Sequence, residues 1–176
     1  WILLAQRALT SDQWTTPALV IVAANGGYAG APDIVADSSG NLLAVWQEDR
    51  GQATGLDIYA AWRSPGGGWS AAQRVGSDPG GAEQSAPRLA ANGREAALVW
   101  QDGRSGDEDI YVAWTAWPGG AWQTERRVNQ DTGSAEQFAP DVALDSRSNT
   151  TIVWSDERAA PSNPDVYSRF IPAGER

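Results

Sequence analysis

The chain of 176 residues carries 13 cationic side chains, all of them arginine, against 22 aspartates and glutamates, so its formal charge is −9. This charge excludes the phosphate backbone of a nucleic acid as a natural partner, and the lack of cysteine and histidine excludes disulfides and histidine general bases. No apolar run approaches the roughly 20 residues of a membrane-spanning helix, so we expect no membrane span.

Short apolar segments alternate with turns rich in glycine, proline and asparagine, a pattern that predicts strands. Ala96, Leu98 and Trp100 share one face of such a strand, while Ala97 and Val99 share the other. Since both faces are apolar, we expect each sheet to be buried on both sides. In chain order the predicted strands are 2–8 and 14–23, then 33–37, 42–47, 57–63 and 69–75, then 87–91, 95–101, 109–115 and 122–128, and finally 140–145, 150–154 and 165–171.

A repeat of about 54 residues organises these strands. The recurring positions are Trp46, Trp100 and Trp154, Pro32, Pro87 and Pro140, and the Asp-(Ile/Val)-Tyr triplets that begin at Asp57, Asp109 and Asp165. They divide a single domain, 1–176, into a half-repeat (1–27), two full repeats (28–81 and 82–134) and an incomplete repeat (135–176). Each full repeat has the size of a propeller blade, so we predict an all-β fold: a β-propeller segment of about three four-stranded blades.

Three blades do not complete a propeller, because closed rings have about four to eight. An incomplete ring would leave sheet faces and edges open to aggregation. We therefore expect the segment either to belong to a larger propeller with further blades or to meet a second copy of itself in a two-chain ring.

Acids, glutamines and arginines concentrate in loops that lie on one face of such a propeller. These are the loops between second and third strands (47–57, 101–109 and 155–165) and the loops between blades (76–86 and 129–139). Such side chains hydrogen-bond sugar hydroxyls or hold a cation, which makes this acidic loop face a candidate ligand site. The candidate ligand-binding residues are Glu48, Arg50, Asp102, Arg104, Asp156, Arg158, Glu83, Gln84, Glu136 and Gln137.

A structural interpretation of the same residues stays open. An acid and an arginine follow each repeat tryptophan at the same distances, and a ligand site is usually built from residues that break a repeat. Each acid–arginine pair could therefore be an ion pair that braces a loop or joins two blades.

Two further features of the sequence suggest ligands. Asp107, Glu108 and Asp109 cluster carboxylate oxygens of the kind that calcium prefers, although without the spacing of an EF-hand loop. We expect no cofactor, and calcium is the one alternative that these residues leave open. Trp117 is a tryptophan outside the repeat register and is predicted to lie in a turn, where its ring could stack on a sugar. The residues predicted to be core are Trp46, Trp100 and Trp154, and the repeat-related Trp62, Trp114 and Phe170.

The segment Val-Trp-Gln-Asp-Gly-Arg (99–104), the triplet Asp-Ile-Tyr (109–111) and the glycine-rich turns before Trp69 and Trp122 resemble the sialidase-like, BNR-repeat family of β-propellers. The resemblance extends over nearly the whole chain as a repeat pattern. The family's Asp-box, Ser-x-Asp-x-Gly-x-Thr-Trp, is degenerate here, since only its glycine–tryptophan end is present.

The resemblance implies an extracellular protein, and the arginine-only cation content suggests a bacterial or archaeal source. We interpret the chain as a non-catalytic binding or structural module, whose partner is a glycan or another extracellular protein bound through the acidic loop face. The arginines and tyrosines that a sialidase would use are all repeat-spaced here, so no catalytic residue is assigned. The alternative is a fragment of a sialidase-like glycoside hydrolase.

Overall fold

The computed structural model describes residues 2–7, 12–21, 27–50, 55–78 and 81–176. In these residues the regular structure is β-sheet, apart from one 3₁₀ turn at Ala173–Glu175, which confirms the all-β prediction. Parts of the predicted strands 2–8 and 14–23, and of the loops 47–57 and 76–86, lie outside the described residues. The strands are β1 (Ile2–Leu4), β2 (Ala18–Ile21), β3 (Ala29–Ala36), β4 (Leu42–Glu48), β5 (Asp57–Arg63), β6 (Gln73–Val75), β7 (Gln84–Ala91), β8 (Glu95–Asp102), β9 (Asp109–Ala116), β10 (Arg126–Arg127), β11 (Gln137–Leu144), β12 (Thr150–Asp156) and β13 (Asp165–Ile171).

The strands form four antiparallel sheets in sequence order. A half-sheet (β1–β2) is followed by the first sheet (β3–β6), the second sheet (β7–β10) and the third sheet (β11–β13). Within the described part of the chain, no helix is long and apolar enough to cross a membrane.

The sheets stack face to face, and three apolar clusters fill the spaces between them. Ile2 and Val20 of the half-sheet pack on Trp46 of the first sheet. The first and second sheets share a cluster that includes Val45 and Trp100, and the second and third share one that includes Val99, Ile152 and Trp154. Since consecutive sheets bury apolar residues against one another, the units are blades of a β-propeller.

The first strand of each blade begins three or four residues earlier than predicted, because it continues through a bulge. The register shifts between Gly30 and Asp33, and at the corresponding points of β7 and β11. Ala31, Ala86 and Ala139 lie at the bulges with φ of 46°, 51° and 51°, each directly before a proline. A bulge admits the proline without a missing ladder hydrogen bond, which is why the Ala-Pro pair recurs inside a strand rather than before it.

Side chains from the preceding blade secure these bulges. The amide Oε1 of Gln47 accepts a hydrogen bond from the Ala86 N–H at 3.0 Å, and Gln101 accepts one from the Ala139 N–H at 3.0 Å. Ser155 occupies the corresponding position of the third sheet. The glutamines therefore connect the first blade to the innermost strand of the second blade, and the second blade to that of the third.

The outer strands are shorter than predicted. β6 and β10 contain three and two residues, and beyond them single bridges join Arg63 to Trp69 and Thr115 to Trp122. The prediction that Phe170 is a core residue is wrong, because its side chain is 60% exposed on the outer side of the third sheet.

Trp100 is fully buried between the first and second sheets, so Trp100→Ala should lower the free energy of unfolding by about 3–5 kcal/mol. Equilibrium urea unfolding measures this value. The matched control is Trp14→Ala, since Trp14 is 66% exposed and should cost less than about 1 kcal/mol. Equal losses in the two variants would contradict the stacked-sheet arrangement.

Candidate functional site

Each of the three larger sheets carries the same group of a tryptophan, an acid, an arginine and a tyrosine, called here the Trp–acid–Arg–Tyr cluster. The indole Nε1–H donates to the acid at 2.8, 2.9 and 2.8 Å in the three sheets, and the three acids are fully buried. The clusters comprise Trp46, Glu48, Arg50 and Tyr59; Trp100, Asp102, Arg104 and Tyr111; and Trp154, Asp156, Arg158 and Tyr167.

The arginine of each cluster lies between its acid and its tyrosine. In the second sheet, Arg104 Nε and Nη2 donate to the two oxygens of Asp102 at 2.8 and 2.6 Å, a bidentate and therefore strong pairing. The same guanidinium lies 4.3 Å from the centre of the Tyr111 ring, which in turn stacks on Trp100 with 6.1 Å between ring centres. The arginine thus bridges a buried carboxylate and a tyrosine ring.

Hydrogen bonds stabilise the ionised forms of two cluster side chains, Asp156 and Arg104. Burial raises the pKa of Asp156, but hydrogen bonds from Arg158 and the Trp154 indole outweigh burial and bring that pKa down to about 2. The hydrogen bond to Asp102 raises the pKa of Arg104 above its ordinary value. Asp156 and Arg104 are therefore ionised across the whole physiological pH range.

A further acid, Glu125, joins the first and second sheets. It accepts hydrogen bonds from Arg104 Nη1 at 2.8 Å and from the Ser77 hydroxyl at 2.7 Å. Burial raises the pKa of Glu125, and the bonds from Arg104 and Ser77 outweigh that effect and lower it to about 2. The sequence pattern did not single out this residue, because the corresponding position of the preceding repeat is Ala72.

Six of the ten candidate ligand residues therefore belong to the clusters, as the structural interpretation of the acid–arginine pairs anticipates. Two more, Gln84 and Gln137, are fully buried. Asn129 Nδ2 donates to Gln137 Oε1 and also to Asp109 at 2.7 Å. In the preceding repeat, Gly76 stands in place of Asn129, so no such amide donates to Gln84, the counterpart of Gln137. The side-chain amide of Gln84 accordingly has no hydrogen-bond partner among the described residues.

The remaining two candidates, Glu83 and Glu136, lie on the exposed part of the acidic loop face together with Glu108. Glu108 donates its backbone N–H to Glu136 Oε2 at 2.8 Å. Glu83 precedes β7, Glu108 lies between β8 and β9, and Glu136 precedes β11, so the second and third sheets together supply the three. We call them the glutamate group.

The glutamate group contains one carboxyl with a raised pKa, that of Glu108. Burial raises the pKa of Glu108, and the nearby charges of Glu136 and Glu83 raise it further, against a hydrogen bond from Gln101 that lowers it. Repulsion between these carboxylates makes the site a natural acceptor for hydroxyl donors or for positive charge.

The three residues predicted to hold calcium are brought into different surroundings. Asp109 is fully buried and paired with Arg127 at 2.6 Å, whereas Glu108 is partly exposed and belongs to the glutamate group. Across the described ranges, no three histidine, cysteine, aspartate or glutamate side chains are grouped so that they could hold a metal ion. Calcium binding stays a prediction.

Trp117 does not offer its ring to a sugar. It is 9% exposed and packs in the cluster between the first and second sheets, and its Nε1–H donates to Asp37 Oδ2 at 2.6 Å. The interpretation of Trp117 as a stacking platform is therefore wrong, because the turn that holds it folds back against the neighbouring blade.

Comparisons with known proteins identify the fold and leave the family open. No protein-family model matches the chain, and no curated protein matches it. Among solved structures, the α-L-arabinanase of Penicillium chrysogenum in complex with arabinobiose aligns with 97% of this chain and 54% of its own, at 12% identity and a TM-score of 0.60. The likeness is one of fold. The chain has a β-propeller fold.

Two other structures agree with this fold. The endo-arabinase of Bacteroides thetaiotaomicron aligns with 89% of this chain and 60% of its own, at 16% identity and a TM-score of 0.52. The intramolecular trans-sialidase of Ruminococcus gnavus, in complex with oseltamivir carboxylate, aligns with 93% of this chain and 36% of its own, at 13% identity and a TM-score of 0.52. This propeller chain therefore spans between 36% and 60% of the length of the structures it resembles here.

Stability should depend on pH through Asp156 and Glu125. Both have folded pKa values of about 2, below the ordinary 3.8 and 4.5, so the unfolded chain binds protons more readily. Their stabilisation is present above about pH 4.5 and is lost as the pH falls towards 2. We expect the free energy of unfolding to fall over this range, less steeply in Asp156→Asn. The control Glu175→Gln, at an exposed position, should keep the original slope; an unchanged slope in Asp156→Asn would contradict this assignment.

Arg104→Ala should destabilise the fold by about 3–5 kcal/mol, because it leaves the buried carboxylates of Asp102 and Glu125 without their cation. Thermal and urea unfolding measure the loss. Arg147→Ala, at an exposed arginine, is the matched control and should change stability by less than about 0.5 kcal/mol. A neutral Arg104→Ala would show that the clusters contribute nothing to stability.

Proposed function

We propose that this propeller segment is a non-catalytic, extracellular module that binds glycans through the glutamate group of its acidic loop face. The observation that carries the proposal is the division of the face into two sets of acids. Glu48, Asp102 and Asp156 are buried and paired within the clusters, whereas Glu83 and Glu136 are exposed and Glu108 is partly exposed beside them.

The charge of the face supports neutral sugars as ligands. Carboxylates accept hydrogen bonds from sugar hydroxyls, but they repel the carboxylate of a sialic acid. The arginines that would attract such an anion, Arg50, Arg104 and Arg158, are paired with buried acids. A neutral oligosaccharide, such as an arabinose oligomer, therefore suits the site better than a sialoside.

A second function, as part of a glycoside hydrolase, is supported by a separate observation. Glycosidases need one carboxyl that is protonated and one that is ionised, and Glu108, whose pKa is raised by burial, lies beside a second carboxyl, that of Glu136. The arabinanases and the trans-sialidase that share the fold give this alternative its reaction class.

Glycan binding is tested by isothermal titration of the protein with arabinose oligomers and with sialyllactose. We expect binding of the neutral oligomer, at least tenfold weaker in Glu108→Gln and in Glu136→Gln, because each variant loses a carboxylate acceptor. Glu175→Gln should bind like the unaltered chain. Stronger binding of sialyllactose, or equal binding in all variants, would contradict the proposal.

Hydrolysis of the same oligomers distinguishes the two functions. Cleavage that depends on Glu108 and falls as the pH rises through its raised pKa, where the acid loses its proton, would establish the hydrolase. Binding without cleavage over the whole pH range would support the non-catalytic module.

A further inference from the structure

The outer side of the third sheet presents side chains at positions that are buried in the other sheets. We call it the open face: Thr151, Val153 and Ser155 of β12, and Val166, Ser168 and Phe170 of β13. Phe170 lies opposite Thr151, Ser168 opposite Val153, and Val166 opposite Ser155. Directly opposed residues point to the same face, so the six form one continuous surface.

The same rows of residues are covered in the first two sheets. Ile58 and Ile110 occupy the position of Val166, and both are fully buried, whereas Val166 is 79% exposed. Trp114 occupies the position of Phe170 and is 1% exposed. In both cases the cover is the following blade. The open face is therefore the third member of a series of interfaces, two of which are formed in this structure.

A polar group beside the open face, Asp141 of β11, also matches a formed interface, and it lies opposite Val153 in the sheet. In the first sheet, Asp33 accepts the N–H of Ile34 with Oδ1 at 2.8 Å, and its Oδ2 accepts the N–H of Leu89 in the following blade at 2.8 Å. In the third sheet, Asp141 accepts the N–H of Val142 with Oδ1 at 2.9 Å and is exposed. Asp141 thus has the local geometry with which Asp33 captures an innermost strand.

We propose that the open face binds a further blade of the same repeat, whose innermost strand donates a backbone N–H to Asp141 and whose apolar face covers Val153, Val166 and Phe170. A second copy of this chain is a poorer occupant. The side of its first sheet that would have to dock is already covered at Trp46 by Ile2 and Val20 of the half-sheet.

Three side chains of the open face differ from their counterparts in the first and second sheets. Ser155 stands where Gln47 and Gln101 bind the bulge of the next blade, and a serine side chain is too short to make the same contact. Thr151 and Ser168 replace apolar residues of the earlier sheets. The docking of a further blade therefore depends on Asp141, Val153, Val166 and Phe170 rather than on a glutamine contact to its bulge.

An extended chain tests the proposal. The extended chain consists of residues 1–171, a second copy of residues 116–171, and then residues 172–176. The junction keeps the repeat in register, because Ile171 and Thr115 hold the same position after their Asp-(Ile/Val)-Tyr triplets. If the added blade docks, amide hydrogen exchange in 150–156 and 165–171 of the original third sheet should slow at least tenfold. Unchanged exchange in these strands would overturn the proposal.

Substitutions in both chains give an independent measurement. Phe170→Asp in the original third sheet should leave the midpoint of thermal unfolding of the 176-residue chain nearly unchanged and lower that of the extended chain by about 5 °C or more. Leu3→Asp, at a 56% exposed residue of the half-sheet, is the control and should act equally in both chains. Equal effects of Phe170→Asp in the two chains would count against the proposal.

Sedimentation of the 176-residue chain tests the alternative in which a second copy of the chain covers the open face. We expect a monomer over the accessible concentration range. A dimer that Phe170→Asp dissociates would show that a second copy covers the open face, and it would overturn the assignment of a further blade.

Discussion

The structure depends on one constraint: a tryptophan ring buried between two sheets needs a hydrogen-bond acceptor for its indole N–H. Burying an unsatisfied donor would oppose much of the gain from burying the ring. Each repeat solves this by placing a carboxylate two residues after the tryptophan, where Nε1–H donates to it at 2.8–2.9 Å. The carboxylate is then itself buried and needs a cation, which the arginine two residues further on supplies.

The pairing of indole, acid and arginine determines which acids remain available to bind a ligand. An acid that neutralises a buried arginine and accepts an indole N–H cannot also bind a sugar without exposing both partners. The acids in the clusters therefore serve stability, and the proposed ligand binding is assigned to the glutamate group. Because one arginine serves each cluster acid, the charge exposed on the face is negative, and this sets the expectation of neutral glycans.

The architecture could be predicted from the sequence because the repeat positions are those that packing constrains most. The recurrence of tryptophan at positions 46, 100 and 154 correctly indicated three sheets with a buried ring in each. The apolar residues on both faces of β8 indicated that this sheet has neighbours on both sides. The strand beginnings were misplaced because Ala86-Pro87 reads as the end of a strand, and only the bulge at Ala86 shows that the ladder continues beyond it. Phe170 was misassigned because position within a repeat predicts the face of a sheet but not whether a neighbour covers it.

The site was harder to predict than the fold, because charge alone does not distinguish paired from unpaired acids. Asp102 and Glu83 look alike in the sequence, and they differ only in whether an arginine and an indole reach them in space. Glu125 and Asn129 gave no signal for a related reason: both contribute across blades, at positions where the preceding repeat has Ala72 and Gly76.

Hydrogen exchange of the indole N–H groups, followed by NMR, tests the central role of the clusters most directly. If the N–H of Trp46, Trp100 and Trp154 is held by a buried carboxylate, these three protons should exchange only when the sheets separate, with the slowest rates in the protein. The N–H of the exposed Trp14 should exchange within the dead time of the experiment. Comparable rates for all four indoles would contradict the account.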